Sequence, residues 1–141
     1  LDMNLEPFLI TASLEAVLAQ RLVRVLCRHC REKYRPDQDE MDRLGLPPQW
    51  RDDPNLRMYK QKGCPACDYI GFMGRTGLFE ILDVDGAVCE MILDRAMAFD
   101  IRRYARKKQG MRTLREEGFI RCLKGVTSVS EILAHTDKYD D

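Results

Sequence analysis

The chain has 141 residues, with 23 Lys+Arg balanced by 23 Asp+Glu and a formal net charge of zero. Hydrophobic residues make up 45% and charged residues 33%, a globular composition that excludes a disordered or collagen-like chain. The charge balance argues against a dedicated nucleic-acid binder, and no run approaches the ~18 consecutive apolar residues of a membrane span.

In chain order, an extended stretch containing Pro7 leads to Ser13 as a helix N-cap. Leu14, Val17, Leu18, Leu22, Val25 and Leu26 then fall on one face of a helix ending at Leu26, whose packing partner is expected upstream. Residues 27–82 change character, holding five of the six prolines and no long periodic run. Asp37 to Leu44 predicts a short acidic helix stopped by Gly45 and Pro47, and Leu56–Tyr59 a short strand. Gly71, Gly74 and Gly77 punctuate a loop before a strand over Leu78–Val84. The remainder reads as helical. Asp85 caps a helix carrying Val88, Met91 and Ile92. A second helix carries Phe99, Ile101, Tyr104 and Ala105 and closes at Gly110. Thr113–Glu116 and Ser128–Glu131 both have the S/T-x-x-E spacing of a capping box, opening two further helices that end near Gly125 and Ala134. The predicted fold class is mainly α with small β elements.

Four of the six cysteines form two C-x-x-C pairs, Cys27/Cys30 and Cys64/Cys67, with 33 residues between them. Two residues between cysteines turn both sulfurs toward one ion, and two such knuckles give four thiolates, the donor set of a tetrahedral structural Zn²⁺. The spacer exceeds the ~15–20 residues of compact zinc ribbons, and an inserted helix at Asp37–Leu44 accounts for the excess. Arg24, Arg28, Arg31, Lys33, Lys60, Lys62 and Arg75 lie close enough in sequence to offset the thiolate charge and donate to sulfur. Dithiol redox chemistry and metal-free cysteines are the competing readings. The redox reading lacks the helix-opening C-x-x-C after a buried strand that it requires. His29 reads as exposed and uncoordinated, His135 as surface or filler, and Cys89 and Cys122 as small buried hydrophobes.

The chain has no G-x-x-x-x-G-K-[ST] phosphate loop and no nucleophilic triad spacing. The basic cluster Arg21–Arg35 reads first as a solvated face that also offsets thiolate charge, and second as a contact for an acidic or phosphate-bearing partner, and Arg102–Lys108 reads as a solvated face. Leu1 is not a start residue and no signal-peptide pattern follows, so the chain reads as a piece of a longer protein from a reducing compartment.

Seven motifs stand in a familiar order. They are Glu6-Pro-Phe-Leu-Ile10, Ala19-Gln-Arg-Leu-Val-Arg24, Leu26-Cys-x-x-Cys30, Gly63-Cys-x-x-Cys67, Gly71-Phe-Met-Gly-Arg-Thr-Gly77, Glu80-Ile-Leu82 and Gly125-Val-Thr-Ser128. In this register the chain resembles the C-terminal part of the type II secretion ATPases, the E proteins of the general secretory pathway. The type IV pilus assembly ATPases are similar throughout. The resemblance implies a hexameric cytoplasmic motor, peripheral on the inner membrane through its platform proteins; the alternative from another class is a stand-alone zinc-ribbon module binding nucleic acid through Arg24–Arg35, against which the zero net charge weighs. The resemblance also implies the end of a RecA-like domain over residues 1–26, a tetracysteine zinc subdomain over 27–82 and a helical subdomain over 83–141. Cys27, Cys30, Cys64 and Cys67 become the zinc ligands. Arg75 becomes an arginine near the subunit interface that supports hydrolysis by the ring. The family's ATP and Mg²⁺ motifs lie upstream of Leu1, so no ATPase activity is expected of this chain alone. The longer proline-containing spacer around Leu46–Pro54 departs from the family pattern.

Overall fold

A computed structural model describes residues 6–137. The described residues divide into two compact units, 6–19 with 80–112, and 20–79 with 113–137. Among the described residues no helix is long and apolar enough to cross a membrane.

The first unit begins with α1 (Pro7–Ser13), which carries Pro7 at its first turn, where the missing N–H costs nothing. Ser13 is therefore the end of a helix rather than the cap of the next one. Its hydroxyl donates back to the Leu9 carbonyl at 2.6 Å. The segment expected to be a helix through Leu26 is instead β1 (Ala16–Leu26), paired in a two-stranded sheet with β4 (Phe72–Asp83). The apolar residues of this segment satisfy a period of two as well as one of 3.6, and Val17, Val23 and Val25 are β-branched. Pairing with β4 then decides the outcome. The same pairing turns the expected glycine loop at 71–77 into the start of β4, anchored by buried Phe72 and Leu78. Each strand contributes residues to both units.

After β4, Asp85 caps α4 (Gly86–Leu93) by accepting from the Val88 N–H at 2.9 Å. Its other oxygen accepts from the Tyr104 hydroxyl at 3.0 Å and the Gln109 amide at 2.9 Å. The bond from Gln109 comes first among the causes that hold the Asp85 carboxyl below the usual range. Helix α4 packs on α1. Helix α5 (Ala98–Tyr104) runs into a π-helical turn, Ala105–Gln109, and Gly110 ends it as expected.

The second unit holds the larger core. Its helices α2 (Gln38–Leu44), α3 (Pro48–Arg51), α6 (Leu114–Leu123) and α7 (Val129–His135) surround the short antiparallel pair β2 (Glu32–Tyr34) and β3 (Met58–Lys60). The register places Glu32 opposite Lys60, Lys33 opposite Tyr59 and Tyr34 opposite Met58. Val23, Met41, Leu44, Leu46, Leu56, Met58, Leu78, Leu114, Phe119, Cys122, Val129 and Ile132 form one buried cluster. Trp50 of α3 meets Phe119 edge-on at 5.6 Å. The predicted capping box of α6 is complete, and α2 carries one that was not predicted, between Asp37 and Glu40. The box of α7 is half made. Ser128 Oγ accepts from the Glu131 N–H, but the Glu131 carboxylate turns away to Arg24.

Candidate metal centre

The first knuckle follows directly on β1. The Cys30 and Arg31 N–H groups both donate to the Cys27 carbonyl, at 3.3 and 3.0 Å, and close a tight turn around the first pair. The second knuckle is a 3₁₀ turn, Pro65–Cys67, entered from extended Cys64 and closed by the Cys67 N–H on the Cys64 carbonyl at 3.1 Å. Asp68 and Tyr69 then adopt positive φ, at 48° and 60°. The Tyr69 N–H returns to the Cys64 carbonyl and the Ile70 N–H to the Cys67 carbonyl, both at 2.9 Å. These bonds hold Asp68 and Tyr69 in the left-handed region, which Asp tolerates but a bulky Tyr adopts only at a cost.

Folding brings the two pairs together. All four Sγ atoms lie within 4.8 Å of one another. Cys27 and Cys64 sulfurs are 3.9 Å apart, Cys30 and Cys67 3.8 Å, and Cys64 and Cys67 3.7 Å. A tetrahedron with ~2.3 Å Zn–S bonds has edges of ~3.8 Å. These separations are far beyond the ~2.05 Å of a disulfide, and all six cysteines are free thiols. Cys27, Cys30 and Cys67 are buried and Cys64 partly so. The donor set and its spacing therefore fit a tetrahedral thiophilic cation.

The electrostatics of the four thiols point the same way. Burial pushes the Cys67 thiol up, but the N–H groups of Cys64 and Gly71, 3.3 and 3.2 Å from its sulfur, and the thiols of Cys64 and Cys30 together bring it down to about 7. Burial and the sulfurs of Cys30 and Cys67 push the Cys64 thiol up to about 12. Burial also raises Cys30. Four thiolates in this space repel one another until a cation neutralises them.

The basic residues near the knuckles were expected to donate to sulfur, but several are engaged elsewhere. Arg24 holds Glu131 through Nε at 3.0 Å and Nη2 at 2.6 Å, and its guanidinium lies 4.1 Å over the Phe72 ring. Arg31 donates to the Gly125 carbonyl and lies over Tyr59. Lys62 pairs with Glu32 at 2.7 Å. Backbone N–H groups serve the sulfurs instead: those of Cys64 and Gly71 donate to Cys67, and those of Gly63 and Ala66 face Cys30 and Cys64. Sequence reading misses these because a backbone donor has no residue type. His29 is exposed and outside the sulfur cluster. Cys122 is fully buried, whereas Cys89 is only partly so. Arg75 is exposed on β4, lining a cleft with Leu22, Arg24, Glu131 and His135. The long spacer is folded: α2 occupies the predicted insertion, and the proline-containing stretch forms α3.

The family model described as Type II/IV secretion system protein matches residues 1–134. The chain is similar to the type IV pilus assembly ATPase PilB of Thermus thermophilus, at 42% identity over 96% of this chain and 15% of that protein. It is similar to the type II secretion system protein E of Pseudomonas aeruginosa, at 39% identity over 96% of this chain and 26% of that protein. It is likewise similar to the type II secretion system ATPase E of Vibrio cholerae, at 38% identity with the same coverage. The chain thus spans about a quarter or less of the length of these relatives. With a family match over nearly its whole length, the chain belongs to the Type II/IV secretion system protein family.

Proposed function

We propose that this chain is the zinc-bearing C-terminal region of a cytoplasmic motor ATPase that powers type II protein secretion. The observation that carries the reading is the convergence of four thiols at tetrahedral spacing in a chain of this family. On this reading residues 1–26 end the RecA-like ATPase domain, 27–82 form the zinc subdomain and 83–141 the helical subdomain. Cys27, Cys30, Cys64 and Cys67 hold one Zn²⁺, whose chemistry is structural: it cross-links the two knuckles through four thiolates. ATP and Mg²⁺ belong to the full-length protein, which acts as a hexameric ring on an inner-membrane platform. Arg75 lies toward the neighbouring subunit, where a planar, always-charged guanidinium supports hydrolysis in the assembled ring.

The role of the knuckle is to keep the end of β1 and the start of β4 in fixed relation, since Cys27 follows Leu26 and Gly71 precedes Phe72. A rigid junction suits a protein that passes domain motion to a partner. Elemental analysis of protein purified without added metal, before and after chelation, tests the reading. About one zinc per chain, lost together with a fall in Tm, supports it. A well-folded protein without zinc overturns it. In the full-length protein, Cys64→Ser and Arg75→Ala lower ATP turnover. Unchanged turnover in both removes the proposed coupling.

Type IV pilus assembly is the second reading, favoured by the 42% match to a PilB. Deleting the gene and scoring exported proteins against surface pili separates the two.

A further inference from the structure

Gly71 occupies a place that neither C-x-x-C pair defines. Its N–H donates to Cys67 Sγ at 3.2 Å, and its carbonyl accepts from the Cys27 N–H at 2.9 Å. One residue thereby touches the ligand sulfur of the second knuckle and the backbone of the first. Its φ is +82°, and a Cβ added there would stand 2.6 Å from the Gln61 Cβ and 3.4 Å from the Gln61 Cα. Both the backbone angle and the space call for glycine.

We propose that Gly71 is a positioning residue for the metal, its N–H fixing the Cys67 thiolate and its carbonyl locking the two knuckles in register. The N–H stabilises the charged form of the one cysteine it reaches and aims that sulfur at the common centre. The carbonyl bond ties the arrival of the chain into β4 to its departure from β1. The cation then meets a half-assembled tetrahedron rather than two independent pairs. Outer-shell groups of this kind change metal affinity by about 10–100-fold when removed. The inference rests on the zinc reading above and goes beyond it in assigning a non-ligand residue to the site.

The test is the rate of zinc transfer from the 141-residue chain to a chromogenic chelator. Gly71→Ala should release zinc at least ~10-fold faster than the unmodified chain. Gly74→Ala is the control. Gly74 has a similar φ of +75°, but an added Cβ meets nothing within 4 Å. It should release zinc at the unmodified rate. Because Gly71→Ala risks misfolding, a second variant replaces Gly71 with glycolate, made by joining two segments at Gly63–Cys64. This ester adds no Cβ and keeps the carbonyl that Cys27 reaches, but lacks the N–H. It should also release zinc faster. The sulfur-to-cobalt charge-transfer band of the Co²⁺ form should keep the intensity of four thiolates. Release from the ester at the unmodified rate overturns the role of the N–H. Equal acceleration in Gly74→Ala and Gly71→Ala reduces the alanine effect to backbone strain and overturns the positional assignment. Absence of zinc from the unmodified chain defeats the zinc reading itself. Zinc present with unchanged release in all variants defeats only this inference.

Discussion

Arg115 is a buried cation in contact with carbonyls, and replacing it should destabilise the second unit by a measurable amount. The residue is 9% exposed. Its Nη1 donates to the Arg43 carbonyl at 2.5 Å, near the end of α2, and its Nε to Thr136 Oγ1 at 3.1 Å. Its Nη2 reaches the Thr136 carbonyl, just past the end of α7. One guanidinium thus caps two helix C-termini, where carbonyls lack intrahelical partners and the dipole favours a positive charge. Burial, the first cause of the shift, lowers the Arg115 pKa, but the group remains charged. Arg115→Ala leaves two carbonyls without their donor, each worth about 1–3 kcal/mol if it stayed dry. The cleft lined by Asp42, Arg43, Arg115 and Leu133 admits water to part of this space, so the net loss should be ~2–4 kcal/mol. At about 3 °C per kcal/mol for a chain of this size, Tm should fall by ~6–12 °C. Arg115→Lys keeps the charge but not the fork, and should recover less than half of the loss. Urea unfolding followed by the fluorescence of Trp50, the single tryptophan, reads the unit in which Arg115 lies. A loss below ~0.5 kcal/mol, the range of an ordinary surface substitution, would refute the capping argument. Equal stability of the Lys variant and the parent would show that the planar fork contributes nothing.

Glu131 makes a second prediction, of pH dependence. Burial pushes its carboxyl up, but the bonds from Arg24 outweigh burial and hold it below its ordinary 4.5. A depressed folded value means that the stabilisation is present above pH 4.5 and is lost as pH falls below it. Glu131→Gln should therefore lose stability at neutral pH and converge with the parent in acid titrations; a constant gap down to pH 3 would contradict the linkage. Gly118 of α6 faces Ile132 of α7, and a Cβ there would stand 2.7 Å from Ile132 Cδ1 and 2.8 Å from its Cγ2. Gly118→Ala should cost a net ~1–2 kcal/mol, overpacking outweighing the helix-propensity gain of ~1 kcal/mol. Adding Ile132→Val, which removes the Cδ1 methyl, should restore part of it, and additivity of the two changes in chemical denaturation would disprove the contact.

What could be read from the sequence is what local chemistry decides. The caps Asp85, Thr113 and Ser128 each act within three residues, and each stands where its spacing placed it. The cysteine pairs were legible because metal-ligand spacing is a short-range constraint. The family was legible because seven motifs kept their order. The misreading of β1 has a non-local cause. Leu14 to Leu26 is amphipathic at either period, and β4, which decides between them, is remote in sequence. Distance likewise hid the Arg24–Glu131 clasp, whose partners are 107 residues apart, and the contact of Arg115 with Arg43, 72 residues away. The second half of the α7 capping box failed for the same reason, since the charged Arg24 guanidinium outcompetes the neutral N–H of Ser128 for the Glu131 carboxylate.

The segment between the knuckles bears on how such a protein can change over generations. Met41, Leu44, Leu46, Leu56 and Met58 all come from this segment, yet they share a buried cluster with Leu114, Phe119 and Ile132. The spacer is a wall of the core, attached at its foot by the cysteines. A lineage that lost a thiol would weaken the foot, at a cost in stability, while the wall still packed on the core. A lineage that shortened the wall would open the core at once. Ligand loss is therefore the permissive route, and change of length is confined to the turns between packed side chains.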